Sequence, residues 1–140
     1  MIMEDWEIKA LIEAALLARE YAYVPYSHFK VGAALFSKDG TVYRGCNIEN
    51  ASFGVTNCAE RTAFFKAISE GARDFKAIAI VGGKENEEIS DYAYPCGICR
   101  QVMLEFCDKD FLVIVGRSIH DYQTYTLDEM IPCGFSAANL

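Results

Sequence analysis

Apolar runs of strand length alternate along this chain with segments of helical period, and that alternation limits the fold more than any other feature. Asp5 to Tyr21 reads as an amphipathic helix, with Trp6, Ala10, Ile12, Ala14, Leu17 and Tyr21 available for one broad face. Val31-Gly-Ala-Ala-Leu-Phe36 reads as a strand, Lys38-Asp-Gly40 as a turn, and Thr41 to Arg44 as the return strand of a hairpin. Ala59 to Gly71 reads as a helix ending at glycine, Phe75 to Val81 as a strand, and Gly97 to Phe106 as a helix opening just after Pro95. Phe111 to Val115 is a further strand, Tyr122 to Thr126 a short edge strand, and Leu127 to Ile131 a final helical turn. Helices that alternate with buried strands imply an α/β architecture, a mixed sheet covered by helices on both faces. With 52% hydrophobic residues among 140 there is material for a core, and no repeat or Pro/Gly/Ser linker divides the chain, so residues 1–140 are expected to form a single domain.

Charge and cysteine content narrow the function. A net charge of −7, with 13 Lys and Arg scattered along the chain, opposes binding of a polynucleotide, which calls for a basic surface that displaces counterions. No apolar stretch approaches the roughly 20 residues of a membrane helix. The acidic N-terminus lacks the basic-then-apolar order of a secretory signal, so a cytoplasmic protein with a small-molecule ligand is expected. In a reducing compartment, six cysteines point to metal binding or chemistry rather than disulfides. His28 and His120 are too few and too isolated for a histidine-based metal site, and His28 reads as a rim or packing residue.

Two segments carry the chemistry. Cys58-Ala-Glu-Arg61 opens one expected helix, and Pro95-Cys-Gly-Ile-Cys99 opens another. Residues three apart share a helix face, so Cys96 and Cys99 can grip one ion, and the positive end of a helix favours the thiolate. Cys58, Cys96 and Cys99 together fill three corners of a zinc tetrahedron and leave the fourth to water, the pattern of a catalytic site. Glu60 is then the group that takes a proton from water and passes it to a substrate. Three thiolates around a dication leave the cluster at −1, and Arg61 is placed to donate hydrogen bonds to the sulfurs. Taken alone, Cys96 and Cys99 are equally compatible with half of a closed structural zinc site, completed by Cys46, Cys107, Cys133 or a histidine, or with a redox pair. Neither alternative accounts for Cys58-Ala-Glu60 opening a second helix, and Cys46, Cys107 and Cys133 read as small buried hydrophobes.

The order Cys-x-Glu followed by Pro-Cys-x-x-Cys is a signature of zinc deaminases that act on bases. The chain resembles the small homotetrameric cytidine deaminases through Pro25-Tyr-Ser-His-Phe-Lys-Val-Gly-Ala-Ala-Leu35, Gly45-Cys-Asn-Ile-Glu-Asn-Ala-Ser52, Cys58-Ala-Glu-Arg-Thr62 and Pro95-Cys-Gly-Ile-Cys-Arg-Gln101. That resemblance implies a three-layer α/β/α fold around a mixed five-stranded sheet. It also implies one zinc per subunit and hydrolysis of free cytidine and 2′-deoxycytidine in pyrimidine salvage. It assigns Asn47 and Glu49 to the ribose, Phe29 to the nucleoside pocket, the Ala59 backbone to the pyrimidine edge, and Phe135 to a neighbouring subunit's site. A carboxylate at Glu49 accepts a sugar hydroxyl but repels a phosphate, which favours nucleosides over nucleotides. Tyr94 and Cys133-Gly134 depart from the family pattern, in which a small residue precedes Pro-Cys. A deaminase of another aminopyrimidine, such as the related blasticidin S deaminases, is the nearest alternative.

Overall fold

The computed structural model describes residues 3–140. In chain order its elements are α1 (Asp5–Arg19), β1 (Phe29–Ser37), β2 (Val42–Cys46), α2 (Ala59–Ser69), β3 (Phe75–Lys84), α3 (Gly97–Phe106), β4 (Leu112–Ser118), β5 (Asp121–Thr126) and α4 (Leu127–Met130). The strands form one sheet in the order β2-β1-β3-β4-β5. Only β3 and β4 run parallel, and the other three pairings are antiparallel. A parallel pair needs a crossover, and α3 supplies it. The sheet is mixed, as its alternating helices and strands implied.

The register shows how one sheet serves two helical layers. Ala33, Leu35, Ile78, Ile80, Val113 and Val115 point to one face, where they pack with Ala63, Phe64 and Ala67 of α2 and Met103 of α3. The alternate residues Ala34, Ala77, Ala79, Val81 and Ile114 point to the other face and meet α1. Side chains in a strand alternate with period two, so strands covered on both faces read as unbroken apolar runs. That explains why β3 and β4 showed no polar alternation.

The buried stripe of α1 differs from the expected one. Ile8, Leu11, Ile12, Ala15 and Ala18 face the sheet, whereas Trp6, Leu17 and Tyr21 are exposed. The alanines Ala34, Ala77 and Ala79 beneath it leave little depth, so the helix approaches through Ala15 and Ala18 and turns Trp6 outward. The helix also stops at Arg19, short of Tyr21. The Arg19 guanidinium donates to the carbonyls of Lys30 (2.9 Å) and Gly83 (2.8 Å), tying the start of β1 to the end of β3. Cys133 departs from expectation as well, being exposed and in the left-handed region at φ 57°. Cys46 and Cys107 are half-buried, and burial pushes both thiols above their ordinary pKa.

Candidate active site

Two helix starts meet on the α2–α3 side of the sheet. Cys58 occupies the extended residue just before α2, and Cys96 the equivalent residue before α3. Cys99 lies one turn into α3, and its backbone N–H donates to Cys96 Sγ at 3.5 Å. The first N–H groups of a helix lack carbonyl partners, so both starts present donors and partial positive charge to the sulfurs. The height of α2 over the sheet is set at Gly45 of β2. A Cβ there would lie 2.4 Å from the Ala59 carbonyl oxygen and 2.5 Å from Ala63 N, so only glycine permits this approach. Lys66 Nζ, donating to the Arg44 carbonyl at 2.5 Å, holds the far end of the same contact.

The sulfurs of Cys58 and Cys96 are 3.9 Å apart, those of Cys96 and Cys99 are 3.5 Å apart, and all three lie within 4.8 Å of one another. A tetrahedral zinc site with metal–sulfur bonds of about 2.3 Å has sulfur–sulfur edges of about 3.8 Å. The cluster therefore fits that ion in both donor type and spacing. Among the described residues no fourth His, Cys, Asp or Glu joins the three, and Cys46, Cys107 and Cys133 stand outside the cluster. The closed structural site thus lacks its fourth ligand. The hydrogen bond from Cys99, with that from Arg61, brings the Cys58 thiol down to about 5, while Cys99 is held up by its bond to Cys58 and by burial.

Arg61 Nη2 donates to Cys58 Sγ at 3.2 Å, and Arg61 Nε is buried without a hydrogen-bond partner. Burial opposes the guanidinium charge, yet hydrogen bonds to Cys58 and Cys99 hold its pKa above the ordinary value. Glu60, in the first turn of α2, is only 4% exposed. Burial, reinforced by the charge of Cys58, raises its pKa to about 7. A carboxyl poised there can accept a proton and return it at neutral pH.

A cavity of about 300 Å³ is lined by Phe29, Val31, Asn47, Thr56, Asn57, Cys58, Glu60, Ile80, Ala93, Tyr94 and Cys96. It thus joins two sulfurs of the cluster, Glu60, Phe29 and Asn47. The Asn47 amide also stitches the start of β1, its Oδ1 accepting from Val31 N and its Nδ2 donating to the Phe29 carbonyl, both at 2.9 Å. Glu49 is not part of that lining. Its Oε1 accepts from the backbone N–H groups of Tyr26 (3.0 Å) and Ser27 (3.1 Å). The Ser27 hydroxyl and these backbone bonds hold the Glu49 carboxyl below the usual carboxylate range. Ala59 has its side chain in the core, so a ligand can meet only its backbone. Phe135 lies outside this cavity, 63% exposed, its carbonyl accepting from Gln101 Nε2 of α3 at 2.9 Å.

Val31, Thr56, Asn57, Ile80 and Ala93 were not singled out from sequence. Ile80 and Val31 sit in strands whose two faces are both apolar, so no residue pattern marks the stretch that reaches a cavity. Asn57 and Thr56 carry a faint signal in preceding Cys58, and Asn57 Nδ2 donates to Thr62 Oγ1, which in turn donates to the Cys58 carbonyl. Tyr94, the departure noted before Pro95, lines the cavity and donates from its hydroxyl to Gln123 Oε1 at 3.1 Å.

Residues 6–115 match a protein-family model described as the cytidine and deoxycytidylate deaminase zinc-binding region. A cytidine deaminase of Halalkalibacterium halodurans is 55% identical over 130 residues, covering 93% of this chain and 95% of that protein. The crystal structure of cytidine deaminase from Burkholderia pseudomallei is similar with a TM-score of 0.82 and 48% identity, over 90% of this chain and 97% of that one. More distantly, a blasticidin-S deaminase of Bacillus cereus is 30% identical over 131 residues, 90% of each chain.

Proposed function

The chain belongs to the cytidine and deoxycytidylate deaminase zinc-binding family, and from that premise we propose how its residues act. It hydrolyses free cytidine and 2′-deoxycytidine to uridine and 2′-deoxyuridine, consuming water and releasing ammonia, with one zinc per subunit held by Cys58, Cys96 and Cys99. The observation that carries this reading is a buried carboxyl, Glu60, lining the same cavity as Cys58 and Cys96 beside the three-sulfur cluster.

When bound, zinc supplies the Lewis acidity that makes water nucleophilic near neutral pH. Glu60 takes a proton from the attacking water and delivers it to ring N3. As the C4 carbonyl forms, it takes the remaining proton of the added hydroxyl and passes it to the departing amine, which leaves as ammonia. Arg61 offsets the excess negative charge of three thiolates through its bond to Cys58. Asn47 and Glu49 hold the ribose, where a carboxylate accepts hydroxyls and repels a phosphate. Phe29 lines the base pocket, and the Ala59 backbone meets the pyrimidine edge. Phe135, exposed in the single chain, reaches a neighbouring subunit's site in a homotetramer. The protein works in the cytoplasm in pyrimidine salvage. A net charge of −7 leaves nucleic acid outside its partners, and no helix among the described residues is long and apolar enough to cross a membrane.

An ultraviolet assay on a substrate panel tests this reading. Cytidine and deoxycytidine should be converted with release of ammonia, in a manner abolished by a chelator and restored by zinc, while cytidine monophosphate and blasticidin S are poor substrates. Preferred turnover of blasticidin S would move the assignment to that branch of relatives. Chelator-insensitive turnover would remove zinc from the chemistry.

A further inference from the structure

Phe29 belongs to the lining of two cavities of about 300 Å³ each, the one containing Glu60 and a second lined by Gly82, Gly83, Lys84, Glu87, Asp91 and Tyr92 among others. A residue that borders both can shape the nucleoside cavity only as well as its position is fixed. Two features fix it. Beneath the ring, Gly82 of β3 leaves room: a Cβ there would lie 3.1 Å from Phe29 Cε1 and 2.9 Å from Ala93 Cβ. A side chain at that point would crowd the ring together with Ala93 and Val31.

The second feature lies one residue before Phe29. His28 is held in the left-handed region at φ 57°, a conformation that side chains other than glycine rarely adopt. Such a residue persists only where its surroundings over-determine it. Here His28 N donates to the Val24 carbonyl at 3.0 Å, and Glu85 N donates to the His28 carbonyl at 2.8 Å. The His28 ring completes the set, its Nδ1 lying 2.6 Å from Glu85 Oε1. Phe29 pairs with Lys84 in the β1–β3 ladder, so His28 and Glu85 are the next residues out and clamp its open end. Both side chains reach solvent, 62% and 31% exposed, so the contact contributes little to the core. Its geometric effect falls on the direction in which Phe29 leaves the turn.

We propose that His28 and Glu85 are positioning residues for the substrate, acting through Phe29: their contact locks the left-handed turn that holds the ring as a wall of the nucleoside cavity. This deepens the functional reading above and rests on it. The pair touches no reacting atom, so it governs binding and not the chemical step.

The test compares the zinc-loaded wild type with Glu85→Ala, Glu85→Gln, Phe29→Ala and the double variant Phe29→Ala/Glu85→Ala. The readouts are KM and kcat for cytidine, Kd for uridine by calorimetry, and zinc content. Glu85→Ala should raise KM and the uridine Kd together by roughly 5- to 20-fold, with kcat within about twofold, as expected for loss of uniform binding. Glu85→Gln, which keeps an oxygen acceptor for Nδ1–H, should return both toward wild type. Once Phe29 is Ala, adding Glu85→Ala should change neither value, because residues acting through one another are not additive. An unshifted KM in Glu85→Ala overturns the proposal, as does an undiminished effect on the Phe29→Ala background. A wild type that fails to deaminate cytidine overturns the functional reading, and absence of uridine binding overturns this inference with it.

Discussion

Glu60, the proposed proton shuttle, shows how burial can prepare a single side chain for proton transfer. A carboxyl at 4% exposure would ordinarily be costly, but the cost of charging it is what lifts its pKa to about 7 and suits it to proton transfer. Glu60→Gln keeps the shape and removes the proton traffic. We expect that variant to retain its zinc by metal analysis and to lose at least about 10²–10⁴-fold in kcat. Near-normal turnover would move the proton shuttle to another group. The residues of this centre were readable because their spacing is local: Cys96 and Cys99 lie within one helical turn, and Glu60 is two residues from Cys58. The proposed ribose-binding residues, Asn47 and Glu49, were readable only by resemblance, since an asparagine and a glutamate after a strand are ordinary loop residues. The structure adds that both also hold backbone, Asn47 at β1 and Glu49 at the Tyr26–Ser27 turn.

Among the elements, α2 and β2 show the tightest coupling between packing and site. Gly45 admits the Ala59 carbonyl and Ala63 N at distances that no Cβ would tolerate, and α2 carries Cys58 at its start. Gly45→Ala should therefore lift the helix, destabilising the protein by about 1–3 kcal/mol in a urea melt. It should also weaken zinc retention against a competing chelator, because Cys58 moves with the helix. A loss of stability with unaltered zinc retention would mean that the first turn of α2 can shift without its ligand. The helix α1 makes the opposite point. Its apolar residues permit more than one stripe, and the expected face ran through Trp6, Leu17 and Tyr21. The alanine-rich floor of Ala34, Ala77 and Ala79 selected the stripe through Ala15 and Ala18 instead. A helix's own sequence cannot specify the depth of the surface it meets.

At the level of the whole molecule, several large apolar side chains remain bare on segments adjoining the metal cluster. Phe53 and Val55 lie in the turn leading to Cys58, Ile98 sits between Cys96 and Cys99, and Phe135 is pinned to α3 through Gln101. Exposed apolar groups of this kind mark interaction surfaces and agree with the proposed homotetramer. Phe135→Ala should leave the zinc content unchanged while raising KM for cytidine, and sedimentation should report a tetramer for the wild type. A monomeric wild type with full activity would show that each chain completes its own site. The amino-acid sequence by itself determined where the helices begin, where the strands lie to within two residues of their starts, which residues could be ligands, and that Cys96 and Cys99 share a face. Those outcomes depend on interactions within a turn or along one strand, which neighbouring residues settle among themselves. Only the tertiary structure decided that Cys58 comes within 3.9 Å of Cys96 from 38 residues away, and which face of α1 is buried. It alone paired His28 with Glu85 across 57 residues. Such meetings follow from how the sheet buries both its faces at once, a balance over the whole core that no short stretch of residues contains.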